Sequence, residues 1–172
     1  NFCMTGLLKN KLVKLILFVL VSVATVNAWS ANGDAELINA AEKGNFPLVK
    51  KILDTEQIKQ EELNAAFLAA VKKGNAAIVE RFIQAGVDVN LRAENSYTPL
   101  IQAARDGRDL VVEMLLTAGA DVNAVSEEND TALILAAEKD RRKVIAALLA
   151  ANANVNSKRS NGMTALLLAA QE

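Results

Sequence analysis

Hydrolysis or group transfer needs a nucleophile with a base within reach, and this chain of 172 residues offers few groups that could serve. The serines Ser96, Ser126, Ser157 and Ser160 have no histidine to activate them, because the sequence contains none. No S-x-x-K pattern supplies a lysine base instead. Without histidine there is also no His-ligated metal site, and the lone Cys3 allows neither an internal disulfide framework nor a thiolate cluster. Glu127 and Glu128 are adjacent, so their side chains diverge and do not share a substrate. The glycines stand singly at helix ends and form no phosphate-cradling loop. With 19 basic and 20 acidic residues the net charge is −1, which gives no reason to expect nucleic acid as a partner. No catalytic, cofactor-binding or metal-binding residue is expected. The 52% hydrophobic content is enough for the core of one domain, or of one domain plus a leader, and argues against disorder.

The apolar residues are unevenly placed. Lys9, Lys11 and Lys14 precede a run from Leu15 to Val26 broken only by Ser22 and Thr25, and Val26-Asn27-Ala28 offers small or branched residues before a cut after Ala28. A basic start, a short apolar run and a small-residue ending make residues 1–28 a secretory signal peptide, with translation starting at Met4. The run falls short of the about 20 apolar residues a spanning helix needs, so cleavage is favoured over an uncleaved anchor that would leave the protein membrane-bound. This predicts a secreted or periplasmic protein that meets the membrane only transiently, with a short linker over 29–33. Cys3 would leave with the leader.

Residues 34–172 repeat. Thr98, Thr131 and Thr164 are 33 apart, as are Leu100, Leu133 and Leu166, and Asn90, Asn123 and Asn156. Gly74 and Gly107 share the step, as do the pairs Ala103-Ala104, Ala136-Ala137 and Ala169-Ala170. Each unit reads as helix, turn, helix, loop. Thr98 caps a helix that Pro99 can begin, since proline lacks the N–H that would be unpaired there. Gly107 ends that helix in the left-handed conformation. Leu110, Val111, Met114 and Leu115 recur at helical spacing in the second helix, which Gly119 ends. Asp121 and Asn123 suit a loop in which side chains bond nearby backbone. Phe46, Phe67 and Phe82 fall at core-type helical positions.

At Tyr97-Thr98-Pro99-Leu100, Gly107 and Gly119-Ala120-Asp121-Val122-Asn123-Ala124, the sequence strongly resembles the ankyrin repeat family. Thr131-Ala132-Leu133, Val144-Ile145, Leu148-Leu149 and Asn152-Ala153-Asn154-Val155-Asn156 continue the match. The resemblance implies an all-α solenoid of stacked helix-turn-helix units with projecting β-hairpin-like loops, divided at about 34–61, 62–90, 91–123, 124–156 and an incomplete 157–172. The first unit lacks the loop motif. The family's histidine after T-P-L is replaced by Ile101, Ile134 and Leu167, so some of the bonding that ties neighbouring loops must be absent or replaced. Asp140 stands at the position of Gly107, which predicts a looser turn. Asn152 replaces the glycine of the G-A-D motif and suits left-handed geometry. The fifth unit stops after its first helix, which leaves Leu166, Leu167 and Leu168 thinly covered and reads as a truncated sequence.

The resemblance further implies a protein partner held by loop tips and first helices. The corresponding tip positions are Arg92, Glu94, Asn95 and Tyr97, then Glu127, Glu128 and Asp130, then Lys158. The first-helix positions are Arg105 and Asp106, then Glu138 and Lys139; Lys72, Lys73 and Gln171 belong to the same face. Tyr97 reads equally as an interface anchor or as packing over the next loop. The Glu127-Glu128-Asp130 tip reads as a solvated charge pair with Lys158-Arg159, and Arg141-Arg142-Lys143 as surface. The expected protein is an exported, monomeric, noncatalytic binder of another protein. The alternatives are a regulatory or targeting module of a longer enzyme, or a secreted effector that binds host proteins.

Overall fold

The structure is a computed structural model describing residues 36–55 and 58–170. The chain divides into a unit of residues 1–36 and a unit of residues 37–172. The leader over 1–28, the linker over 29–33 and Gln171 lie outside the described residues.

Helix α1 is described from 36 to 43. Then follow α2 (Phe46–Thr55), α3 (Gln60–Lys73), α4 (Ala76–Gln84), α5 (Pro99–Asp106), α6 (Asp109–Thr117), α7 (Ala132–Glu138), α8 (Arg142–Ala150) and α9 (Ala165–Ala169). No strand occurs among the described residues. Odd-numbered helices are the first of each repeat and even-numbered helices the second. Thr98, Thr131 and Thr164 start α5, α7 and α9 as expected, each hydroxyl oxygen accepting the backbone N–H three residues on at 3.2–3.3 Å.

The turn between first and second helices has one geometry throughout. Gly107, at φ +69°, and Arg108 donate to the carbonyls of Ala104 and Ala103 at 3.3 and 2.9 Å. Asp140, at φ +49°, and Arg141 make the same two bonds to Ala137 and Ala136 at 3.2 and 2.8 Å. The looser turn expected at Asp140 is therefore not found: aspartate is one of the few residues that enters this region at modest cost. Asn152 adopts the left-handed geometry expected of it, at φ +61°.

The loops project as hairpin tips without a strand ladder. Each is closed by one backbone bond in register: Ala93 to Tyr97, Ser126 to Asp130 and Arg159 to Met163, at 2.9–3.0 Å. Successive tips are joined by Glu127 N–H to Asn95 O and by Ser160 N–H to Glu128 O. Two side-chain bonds add to these links between tips. Arg92 Nη1 donates to Val125 O at 2.8 Å, and the Ser160 hydroxyl to Glu128 O at 2.7 Å. Where the family has histidine, Ile101 and Ile134 are buried instead.

The core runs along the stack as repeated stripes. Leu37, Phe67, Leu100 and Leu133 are equivalent first-helix residues, and Ile52, Phe82, Leu115 and Leu148 equivalent second-helix residues; all are buried. Phe67 and Phe82 meet edge to face with ring centres 6.0 Å apart. Phe46 departs from its core reading, being 38% exposed. It is the first residue of α2, equivalent to Ala76, Asp109 and Arg142 in later repeats, and so lies one turn before the buried stripe of Val49 and Ile52. Buried alanines at 103, 104, 136 and 137 let the first helices approach closely, and they contact one another more extensively than the second helices do. Leu166 and Leu167 are exposed.

Candidate protein-binding surface

Five of the predicted tip and first-helix residues, Lys72 among them, converge. Glu94, Asn95, Tyr97 and Arg105 line a groove of about 610 Å³ between α3, α5 and the 92–97 tip, together with Lys72 and Gln102. A narrower pocket of about 150 Å³ lies against Leu68 and Tyr97. Tyr97 is half-buried, packs against the core and lines this pocket with Leu68 and Lys72 of α3. The Arg105 guanidinium carbon lies 5.4 Å from the centre of the tyrosine ring. Arg105 also donates to Gln102 Oε1 at 3.1 Å and pairs with Asp106 at 3.4 Å, while Gln102 Nε2 donates to Asp106 Oδ2 at 2.5 Å. This network holds the Arg105 guanidinium over the tyrosine ring at the groove. Lys72 is exposed and has no ion pair among the described residues.

The remaining predicted residues are placed differently. Arg92 is exposed but is engaged in tying tips together, bonding Ser96 O as well as Val125 O. Glu127, Glu128 and Lys158 are exposed. Asp130, expected at a solvated tip, is only 2% exposed. It accepts from Arg159 Nε, and Arg159 Nη2 reaches Glu138 Oε2 at 2.5 Å, with Lys139 Nζ 3.0 Å from Glu138 Oε1. Asp130 and Glu138 thus belong to an internal ion-pair cluster that clamps the fourth tip, the fifth tip and α7 together. The Lys139 and Arg159 hydrogen bonds hold the Glu138 carboxyl below its ordinary range. Burial pulls the Arg159 guanidinium down, but bonds to Asp130 and Glu138 outweigh it and the net direction is up.

A second periodic device was not anticipated. Asn75 Nδ2, Arg108 Nε and Arg141 Nε each reach back one repeat to the carbonyls of Ala41, Lys72 and Arg105, at 2.9–3.3 Å. Arg141, read as surface, is part of this ladder. Asn90 and Asn123 form another: Asn90 Oδ1 accepts from Asp121 N–H and Asn123 Oδ1 from Asn154 N–H, both at 2.8 Å. The signal was present in the 33-residue period of Arg108 and Arg141. Arg159 carries no such signal, since its equivalents are Ser126 and Ala93.

The groove presents a cation, an aromatic ring and an amide, which suits recognition of polar side chains or peptide backbone. Among the described residues no group of three acidic side chains is placed to hold a metal ion, and no helix is long and apolar enough to cross a membrane.

Comparison with known proteins agrees with this architecture. A family model described as ankyrin repeats (3 copies) matches residues 37–126 and 112–172. The ankyrin repeat and SAM domain-containing protein 6 of Rattus norvegicus is 35% identical over 77 residues, covering 42% of this chain. The protein of the same name from Mus musculus matches to the same extent. The match spans about 9% of the length of these relatives. Proteins built from such repeats are typically noncatalytic modules for protein–protein interaction. With the repeated caps, tips and turns above, these matches place the chain in the ankyrin-repeat family.

Proposed function

We propose that this chain captures another protein, as a monomer and without catalysis, through the groove between α3, α5 and the 92–97 tip. The observation that carries this reading is the convergence of Tyr97, Arg105, Gln102 and Lys72 on one groove of about 610 Å³. Tyrosine and arginine anchors are the residue types on which interface energy concentrates. The exposed Glu127, Glu128 and Lys158 do not line that groove, and Asp130 and Glu138 hold the scaffold. Immobilised full-length chain and a Tyr97→Ala, Lys72→Ala variant test this against a lysate of the source cells. Proteins retained by the parent and lost by a variant with an unchanged circular dichroism spectrum support it; identical retained sets remove the groove from the proposal.

Export is the second part of the reading and rests on the basic start, apolar run and small-residue ending of residues 1–28. Sequencing the N-terminus of the protein recovered outside the cytoplasm tests it. A mature chain beginning before Leu15 would overturn cleavage and favour an anchor. A module within a longer protein is the competing organisation, favoured by the small share of the relatives' length that the match spans.

A further inference from the structure

The wider spacing of the second helices leaves a groove of about 490 Å³ between α4 and α6, on helices that do not form the groove proposed above. Its floor is apolar: Ile83 and Met114 are half-buried, and Leu110 is 66% exposed. The other second-helix seams each carry an ion pair. Arg81 pairs with Asp54 across α2 and α4, and Lys143 Nζ lies 3.8 Å from Asp109 Oδ2 across α6 and α8. At the α4–α6 seam the lining charges are Glu80 and Glu113, which are 33 residues apart and therefore at the same repeat position. Neither has an ion pair among the described residues; Glu80 meets only the neutral Gln84 amide, at 3.5 Å. No lysine or arginine lines this groove.

We propose that the groove between α4 and α6 docks a basic amphipathic segment of a protein partner. A lysine or arginine of that segment sits between Glu80 and Glu113, and an apolar side chain covers Ile83, Leu110 and Met114. Two carboxylates lining one groove with no cation beside them attract a cationic side chain, and the floor loses water-exposed apolar area when covered. An acidic segment would add a third unpaired carboxylate to the same rim.

The probe is a fluorescein-labelled synthetic helical peptide with a leucine stripe at i and i+4 and flanking arginines, titrated against the full chain by fluorescence polarisation. Saturable binding that weakens with added salt is expected. Glu80→Lys with Glu113→Lys should weaken it about tenfold or more, and the same peptide with glutamate for arginine should bind that variant in preference to the parent. Leu110→Gln should weaken the arginine peptide about fivefold without changing its salt dependence. Glu36→Lys with Glu42→Lys, both exposed on α1 and outside both grooves, should leave affinity unchanged. Three results would overturn the proposal: no saturable binding, equal losses from the groove and α1 variants, or parent self-association in sedimentation that the groove variant abolishes. The last would assign the groove to a second copy of the chain. None of these depends on Tyr97 or Lys72, so the two surfaces stand or fall separately.

Discussion

Asp130 is a carboxylate almost out of contact with water, and its charge is matched by one guanidinium. Arg159, with its side chain 18% exposed, serves both Asp130 and Glu138. Breaking a fully buried pair costs about 3–5 kcal/mol, and the partial exposure of Arg159 reduces the expectation to about 2–3 kcal/mol. Arg159→Ala should lower the stability of the chain in urea unfolding by that amount. A change below about 0.5 kcal/mol, the range of ordinary surface substitutions, would mean Asp130 finds water or another donor. Glu138 adds a pH dependence whose sign follows from its depressed pKa. A carboxyl that titrates lower in the folded than in the unfolded chain contributes stability above its unfolded pKa, and loses that contribution as pH falls through the folded pKa. Stability measured from neutral pH into acid should therefore fall less steeply in Glu138→Gln than in the parent; parallel curves would refute the coupling. At this scale the sequence was least informative. The pairing of the Asp130 tip with Lys158-Arg159 was legible, but the burial of Asp130 and the second contact of Arg159, to Glu138, lie off the repeat pattern and follow only from the folded arrangement.

The elements were the most legible part of the chain. Threonine caps, alanine pairs and second-helix stripes recur every 33 residues, and a local rule read once applied to each repeat. Where local rules misled, the cause was a contact from the neighbouring repeat or a residue's place within its own helix. Phe46 has a core-type side chain at a surface position, and Arg141 is a surface-type side chain that bonds the preceding repeat. The turn glycines separate local from inter-repeat effects. At Gly107 an added Cβ would lie 2.8 Å from Arg141 Cδ, whereas at Gly119, also left-handed at φ +88°, it would meet nothing within 4 Å. Both alanine substitutions carry the backbone cost of about 1–2 kcal/mol for a side chain in this region. Gly107→Ala must also displace Arg141 and break its bond to Arg105 O. Its loss of stability should exceed that of Gly119→Ala by about 0.5–1.5 kcal/mol, the net worth of one hydrogen bond. The excess should vanish when both glycine variants are made on an Arg141→Ala background. An excess that persists there would place the difference in the turn itself.

Across the whole stack of residues 37–170, no repeat buries its apolar stripe alone. Stability in such an array is close to a sum of repeat terms and nearest-neighbour interface terms, and the ladders from Asn75, Arg108 and Arg141 each span only one repeat boundary. Damage should therefore fade with distance along the chain rather than spread through a common core. Phe82 is fully buried, packs edge to face on Phe67 within its own repeat, and has Leu115 as its equivalent in the next. Phe82→Ala should cost about 3–5 kcal/mol at that repeat. Amide hydrogen exchange followed by mass spectrometry reads where the cost falls. Protection should drop most in α3 and α4, less in α5 and α6, and least in α7, all of whose residues from Ala132 to Ala137 are buried. The gradient separates two kinds of molecule: in a single cooperative core the slowest amides of every helix would lose the same free energy. Equal acceleration from α3 to α7 would show that the repeats unfold as one unit, and that the period seen in the sequence organises packing without dividing stability.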